Sequence, residues 1–202
     1  MATPIESEVR ATLACYGRDY QIRKVIDQAF ATVQTKYSDG LGWFRRKSTM
    51  RALVWEYAVD GAVEAFESAP GVQILVKDDT RSFVFDDSVL LRIKKADDQF
   101  LTSNFPTRQA RMFHDHGRVD LFGFEGHQRV EAIYVMNQFE TAIRQISIVA
   151  RQHKNLLWAY DLPVEEGAVV APFPTHQPAL PAADRILRSR MDIGDKSEDQ
   201  DA

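Results

Sequence analysis

Along this chain the spacing of apolar side chains changes once, at Val72, and that change constrains the fold more than any other feature. Before it, Ile5, Val9, Leu13, Tyr16 and Tyr20, then Ile22, Ile26, Phe30, Val33 and Tyr37, recur in steps of three and four, the spacing of an amphipathic helix. Gly17 predicts a break into two helices, and Ser38-Asp39-Gly40 ends the run. Thr3-Pro4-Ile5-Glu6 has the pattern of a capping box opening the first helix. A further helix is predicted from near Ser48 to Ala69-Pro70-Gly71, with Met50, Leu53, Val54, Tyr57, Ala58 and Phe66 as its buried stripe.

After Val72 the period is two. Val72, Ile74 and Val76 form a first strand, Phe83 and Phe85 a second, and Val89, Leu91 and Ile93 one face of a third. Asp78-Asp79-Thr80 and Asp86-Asp87-Ser88 mark the turns of an antiparallel meander. The polar stretch that follows predicts one short helix, Thr107 to Asp115. Further strands are expected at Arg118–Phe124 and Arg129–Met136, and a hairpin at Ile143–Arg151 and Leu156–Leu162 across His153-Lys154-Asn155. Helices first, strands afterwards and no regular alternation predict an α+β domain over 1–162: N-terminal helices (3–69) packed on one face of a largely antiparallel sheet (72–162). Pro172, Pro174, Pro178 and Pro181 mark 163–191 as a Pro-rich extension, and 192–202 is expected to be a disordered acidic tail.

That tail holds five acids and one base, which accounts for the whole net charge of -4 and leaves the remainder formally neutral. A neutral body lacks the broad basic footprint of a duplex-binding protein, although local basic clusters remain able to hold anions. No apolar run approaches the roughly 20 residues of a membrane helix, and no secretory signal opens the chain. Cys15 is the only cysteine, so no internal disulfide or cysteine-rich zinc site can form. A cytoplasmic protein of the reducing, bacterial type is expected.

Gly-rich phosphate loops, dinucleotide fingerprints, His-Glu-x-x-His and Gly-x-Ser-x-Gly are all absent. His114-Asp115-His116, with Asp120, Glu125 and His127 nearby, is the most metal-like cluster. It lacks a third ligand at recognisable spacing, and neither metal nor cofactor is expected. Asp86-Asp87 followed by Arg92-Ile93-Lys94 invites comparison with metal-dependent nucleases that place an acid-x-Lys pair on a strand. Here the acid position is Arg92, a cation that would repel the metal. Arg45-Arg46-Lys47, with Trp43, Phe44 and Arg51, mixes cations and aromatics as nucleic-acid surfaces do, and as ordinary loops also do. On the third strand Leu90, Arg92 and Lys94 share the face away from the core. Ser103 to Gln109 is expected to fold back over it, with Thr107 capping a helix whose N-terminus would meet an anion there. Treated as exposed charges, Arg92 and Lys94 should each cost within about 0.5 kcal/mol on removal, while Arg92→Ala, Lys94→Ala and Gln109→Ala abolish function. No catalytic set emerges.

Three segments, Lys47-Ser48-Thr49-x-Arg51-Ala52, Leu91-Arg92-Ile93-Lys94-Lys95-Ala96-Asp97 and Ser103-Asn104-x-Pro106-Thr107-x-Gln109-Ala110, together resemble a family of uncharacterised bacterial proteins. Its members are often encoded beside a helix-turn-helix protein that can carry a zinc-metallopeptidase domain, similar to two-gene toxin–antitoxin and phage-defence modules. The resemblance spans about Arg45 to Leu162. It implies that Arg51, Arg92, Lys94, Asn104, Thr107 and Gln109 lie near one functional surface, and that the regulator is a partner. After Arg51-Ala52 the helix reads Leu-Val-Trp-Glu-Tyr where the family pattern is polar, so no helix-borne catalytic role carries over. The expectation is a toxin-like effector engaging an anionic ligand, nucleic acid first. A non-catalytic protein-binding scaffold is the alternative, and a metal-dependent nuclease the third.

Overall fold

The computed structural model describes residues 3–36, 47–77, 80–102, 108–116 and 126–165, without the side chains of Lys47, Arg108 and Gln109. The chain divides into two units, Met1–Val170 and Ala171–Ala202, and every described residue belongs to the first. The loop through Arg45-Arg46, the strand expected at 118–124 and the acidic tail lie outside the described residues.

The helices follow the sequence pattern closely. α1 (Glu6–Ala14) and α2 (Arg18–Lys36) are separated by a 3-10 turn at Cys15–Gly17, where Tyr16 and Gly17 both have positive φ. α3 spans Lys47–Phe66. The capping box does not form: Ile5 is the N-cap of α1 and no side chain caps the helix. Tertiary contacts fix this end instead. Ile5 N–H donates to Gln128 Oε1 (2.7 Å), and Trp158 Nε1 donates to the Pro4 carbonyl (2.7 Å).

Six strands follow: β1 (Val72–Lys77), β2 (Thr80–Phe85), β3 (Val89–Ala96), β4 (Gln128–Met136), β5 (Ile143–Gln152) and β6 (Asn155–Asp161). They form one sheet in sequence order, antiparallel throughout except that β3 and β4 run parallel. A parallel pair of neighbours requires a crossover, and the segment between β3 and β4 supplies it, including the short α4 (Arg108–Phe113).

Side-chain alternation sorts the sheet into two faces. Phe83, Phe85, Leu91, Ile93, Ala132, Tyr134, Ile146 and Ile148 join the core beneath α1–α3. Phe66 meets Phe83 and Phe85 edge-on, at 5.9 and 5.3 Å between ring centroids. The other face is covered too, because Phe113 of α4 packs on Val84 and Leu90. On that face Ile133 and Val135 of β4 pack with Ala96 and Val149, and β4 is buried on both sides from Arg129 to Met136.

One buried arginine ties three bends of the chain together. Arg18, just past the α1–α2 break, is 2% exposed. It grips Asp86 in the β2–β3 turn with both nitrogens (2.6 and 3.0 Å) and donates to the Pro70 carbonyl at the α3–β1 junction (2.7 Å). Asp86 holds a left-handed φ of 47°, and its N–H donates to the Gly71 carbonyl (2.7 Å). Gly71 is required twice over. Its φ is +68°, and a Cβ there would sit 2.2 Å from Asp86 Oδ1. Gly71→Ala is expected to cost about 2–4 kcal/mol, combining left-handed strain with displacement of the carboxylate. Asp86→Ala alone should cost about 1–3 kcal/mol, because Arg18 loses its charged partner. In urea unfolding the two costs should fall well short of additive, since removing the Asp86 carboxylate relieves the Gly71→Ala clash. Simple additivity would show that the Asp86 carboxylate does not set the cost of a side chain at Gly71.

Candidate functional site

β3 and β4 run side by side with Arg92 opposite Glu131, so strand register alone sets a cation beside a carboxylate on the face away from α1–α3. Arg129 precedes Glu131 by two residues and shares its face. Arg151, near the end of β5, reaches Glu131 from the other side, Nη2 lying 3.5 Å from Oε2. His114, just after α4, puts its Nε2 3.5 Å from Glu131 Oε1. Arg92, Arg129, Glu131 and Arg151 are buried, Glu131 only 2% exposed, and His114 is partly buried.

The electrostatics follow from burial. Desolvation raises the Glu131 carboxyl, opposed by the positive charges of Arg151, Lys94 and Arg92. Burial pushes Arg92 down to about 10, with Glu131 acting against it and Arg129 reinforcing it. Arg151 and Lys94 are lowered by the same desolvation. Burial, then the neighbouring Arg151, His116, Arg92 and His153, takes His114 down to about 4, so its ring is neutral near pH 7. His116 is also lowered by burial, and its Nε2 lies 2.7 Å from the Arg151 carbonyl. That contact requires the proton on Nε2, since a carbonyl only accepts. Among the described residues, Arg92, Lys94, Arg129 and Arg151 thus surround the Glu131 carboxylate, with neutral imidazoles beside them. Asp97 and Asp115 act only from the margin of the cluster, on Arg151 and His116.

Geometry fixes this arrangement firmly. Arg129 Nη1 donates to the carbonyls of Met112 (2.7 Å) and Asp115 (3.1 Å), closing the C-terminal end of α4. His153 N–H, in the β5–β6 turn, donates to the His114 carbonyl (3.2 Å). Between α4 and that turn lies a cavity of about 430 Å³, lined by Leu101, Thr102, Ala110, Arg111, His114, Arg151, His153 and Lys154. At its inner wall Arg151 is 5% exposed, and among the described residues its Nε and Nη2 have no hydrogen-bond partner. Glu131 Oε2 has none either, so this ion pair leaves hydrogen-bonding capacity unused on both sides.

The residues expected from sequence fare differently. Arg92 and Lys94 do share the face away from the main core, but Arg92 is no surface charge. It is 4% exposed, donates from Nε to Ser82 Oγ (2.9 Å) and lies 4.4 Å from the Phe113 ring centroid. Its removal leaves a hole beside Phe113 and takes one of several cations from the buried Glu131, so the small stability cost expected for an exposed charge does not apply. Lys94 Nζ lies 5.5 Å from the Trp55 ring centroid, where the Trp55 indole N–H donates to the Ile93 carbonyl (2.9 Å). Arg51 stands apart from this cluster. Its Nε donates to Glu140 Oε1 (2.7 Å), which Lys95 approaches to 3.6 Å. Asn104 and Thr107 lie outside the described residues, and Gln109 is placed on α4 by its backbone alone. α4 itself is Arg108–Phe113, shorter than expected, and it presents its C-terminal end, not its N-terminal end, to the cluster.

Sequence reasoning passed over Arg129, Glu131, Arg151, Arg111 and Lys154. The available signal was a pair of charges at positions of one parity, 129 and 131, inside an otherwise apolar strand. No protein-family model matches the chain, and no curated protein or solved structure matches it. The family expectation therefore rests on the three motifs themselves.

The depressed His114 makes a signed prediction. Between pH 6.5 and about 4 the unfolded chain binds a proton at this residue that the folded chain refuses, so stability falls as pH falls through that window. His116 acts in the same sense, and Glu131, with its raised carboxyl, in the opposite one. Comparing wild type with His114→Leu should isolate the contribution, the wild type losing about 1–3 kcal/mol more than the variant on going from pH 7 to 4.5. Parallel curves would show that His114 is not held neutral by this environment.

Proposed function

We propose that this protein binds a phosphate-bearing ligand, nucleic acid being the first candidate, through the basic cavity between α4 and the β5–β6 turn. The reading is carried by the lining of that cavity. Arg151 at its wall and the exposed Arg111 and Lys154 set three basic side chains around one opening, where phosphate oxygens would accept charge-assisted hydrogen bonds.

The motif resemblance fits with this reading. A toxin-like effector of a two-gene bacterial module, held in check by a helix-turn-helix regulator, would act by engaging an anionic target. A metal-dependent nuclease is disfavoured by the donor set: divalent cations of that chemistry need several carboxylate oxygens, and among the described residues Glu131 is the one carboxylate at the centre of the cluster. A scaffold recognising protein through the same sheet face is disfavoured because Phe113 already covers Val84 and Leu90.

Arg111 and Lys154 are exposed, so replacing them leaves the fold intact. In fluorescence anisotropy with a labelled single-stranded oligonucleotide, Arg111→Gln and Lys154→Gln should each weaken binding about 3–10-fold. Each should also reduce the salt slope by about one, with no change in melting temperature. Unaltered affinity in both variants, or no binding by the wild type, would contradict the proposal.

A further inference from the structure

Two histidines at the cavity add chemistry to binding, and this step rests on the nucleic-acid reading above. We infer that the protein cleaves RNA at this cavity by internal transesterification, with His114 and His153 as the proton-transfer pair and Lys154 and Arg111 steadying the phosphate.

The pairing of the histidines is the first argument. His114 lines the cavity from the end of α4, and His153 lines it from the β5–β6 turn. The His153 N–H donates to the His114 carbonyl (3.2 Å), so the two segments are fastened to each other. His153 is also among the groups whose charge lowers His114, which places the rings within electrostatic reach.

Two imidazoles beside two cations meet the needs of one reaction in particular. The 2′-hydroxyl oxygen of RNA attacks the adjacent phosphorus while its proton passes to one imidazole. The P–O5′ bond breaks, and the other imidazole gives its proton to the departing O5′. The products are a 2′,3′-cyclic phosphate and a 5′-hydroxyl, and no external nucleophile, oxidant or reductant is consumed. Charge that builds on the phosphate oxygens is met by Lys154 and Arg111, both exposed on the cavity lining. Leu101 and Ala110 add apolar surface for the attached sugar and base.

The surroundings of each ring assign the roles. Glu131 Oε1 lies 3.5 Å from His114 Nε2. A carboxylate there favours the tautomer protonated on Nε2, leaves Nδ1 to accept a proton and stabilises the imidazolium that forms. Burial first, and neighbouring cations next, keep His114 neutral at pH 7, so it meets the substrate as a base. An arriving phosphate offsets those cations and strengthens that base. His153, exposed on the turn, is left to serve the leaving group as the acid. Glu131 is then a positioning residue, acting through His114.

The test uses the full chain and three labelled single-stranded hexamers of one sequence: RNA, 2′-O-methyl RNA and DNA, each with and without EDTA. Only the RNA should be cut, at the same rate with EDTA as without, leaving 2′,3′-cyclic phosphate and 5′-hydroxyl ends. His153→Asn suits the left-handed backbone at that position (φ 55°). It and His114→Gln should each slow cleavage about 100-fold or more, with DNA affinity held within about threefold. The exposed His153 carries the test if His114→Gln fails to fold. Glu131→Gln should lower kcat with KM little changed, a split that a merely structural role would not produce. Binding of DNA without cleavage of RNA would overturn this inference while leaving the anion site standing. Cleavage of the 2′-O-methyl strand, loss of cutting in EDTA, or full activity in His153→Asn would do the same. Failure to bind any hexamer would overturn both.

Discussion

Burying Glu131 is the step on which the rest of this architecture turns. A carboxylate on a strand covered on both faces costs several kcal/mol unless cations accompany it. The protein supplies them from three strands. Arg92 is set beside Glu131 by parallel register, Arg129 by parity on the same strand, and Arg151 by the antiparallel neighbour. Arg151 and Glu131 stand 3.5 Å apart, and among the described residues Arg151 Nε and Nη2 and Glu131 Oε2 have no hydrogen-bond partner.

The fold holds that network still. The parallel β3–β4 step forces the chain to cross the sheet, and the crossover brings α4 over the charged face. Arg129 then fastens the end of α4 from below, and the His153 N–H fastens it from the hairpin turn. On the opposite face, α1–α3 pack on the apolar side of the same strands, and Arg18 locks the junctions by which helices and strands meet. Rigid supports on both faces allow a buried guanidinium to keep its aim before any ligand arrives.

Much of the fold was legible in the sequence because it is local. Steps of three and four gave α1, α2 and α3, Gly17 gave the break between the first two, and alternation gave the first three strands, while β4 to β6 were expected from their apolar segments and the turn at His153-Lys154-Asn155. Alternation also placed Arg92 and Lys94 on the face away from the main core. It could not reveal their burial, because the cover comes from Phe113, which reaches Leu90 only through the tertiary fold. The capping pattern at Thr3 failed for a related reason: contacts of Pro4 and Ile5 with Trp158 and Gln128, over 120 residues away, set the helix start. The site was harder still. Arg151, Glu131 and His114 belong to three separate elements, and a lone charge in a strand reads as a solvated position until its neighbours are known. The resemblance directed attention to Arg51 and Arg92, of which one joins the cluster and the other pairs with Glu140.

The central claim is that the basic cavity between α4 and the β5–β6 turn takes a phosphate group. It is tested most directly by the thermal stability of the wild type in increasing phosphate, with chloride added to keep ionic strength constant. A specific site stabilises the folded chain by RT ln(1 + [L]/Kd), so the melting temperature should begin to climb once phosphate exceeds a defined concentration, then rise with its logarithm. The same titration on Arg151→Gln should be flat, whatever the starting stability of that variant. A wild-type curve that merely follows chloride, or an identical response in Arg151→Gln, would mean that these charges serve the fold alone.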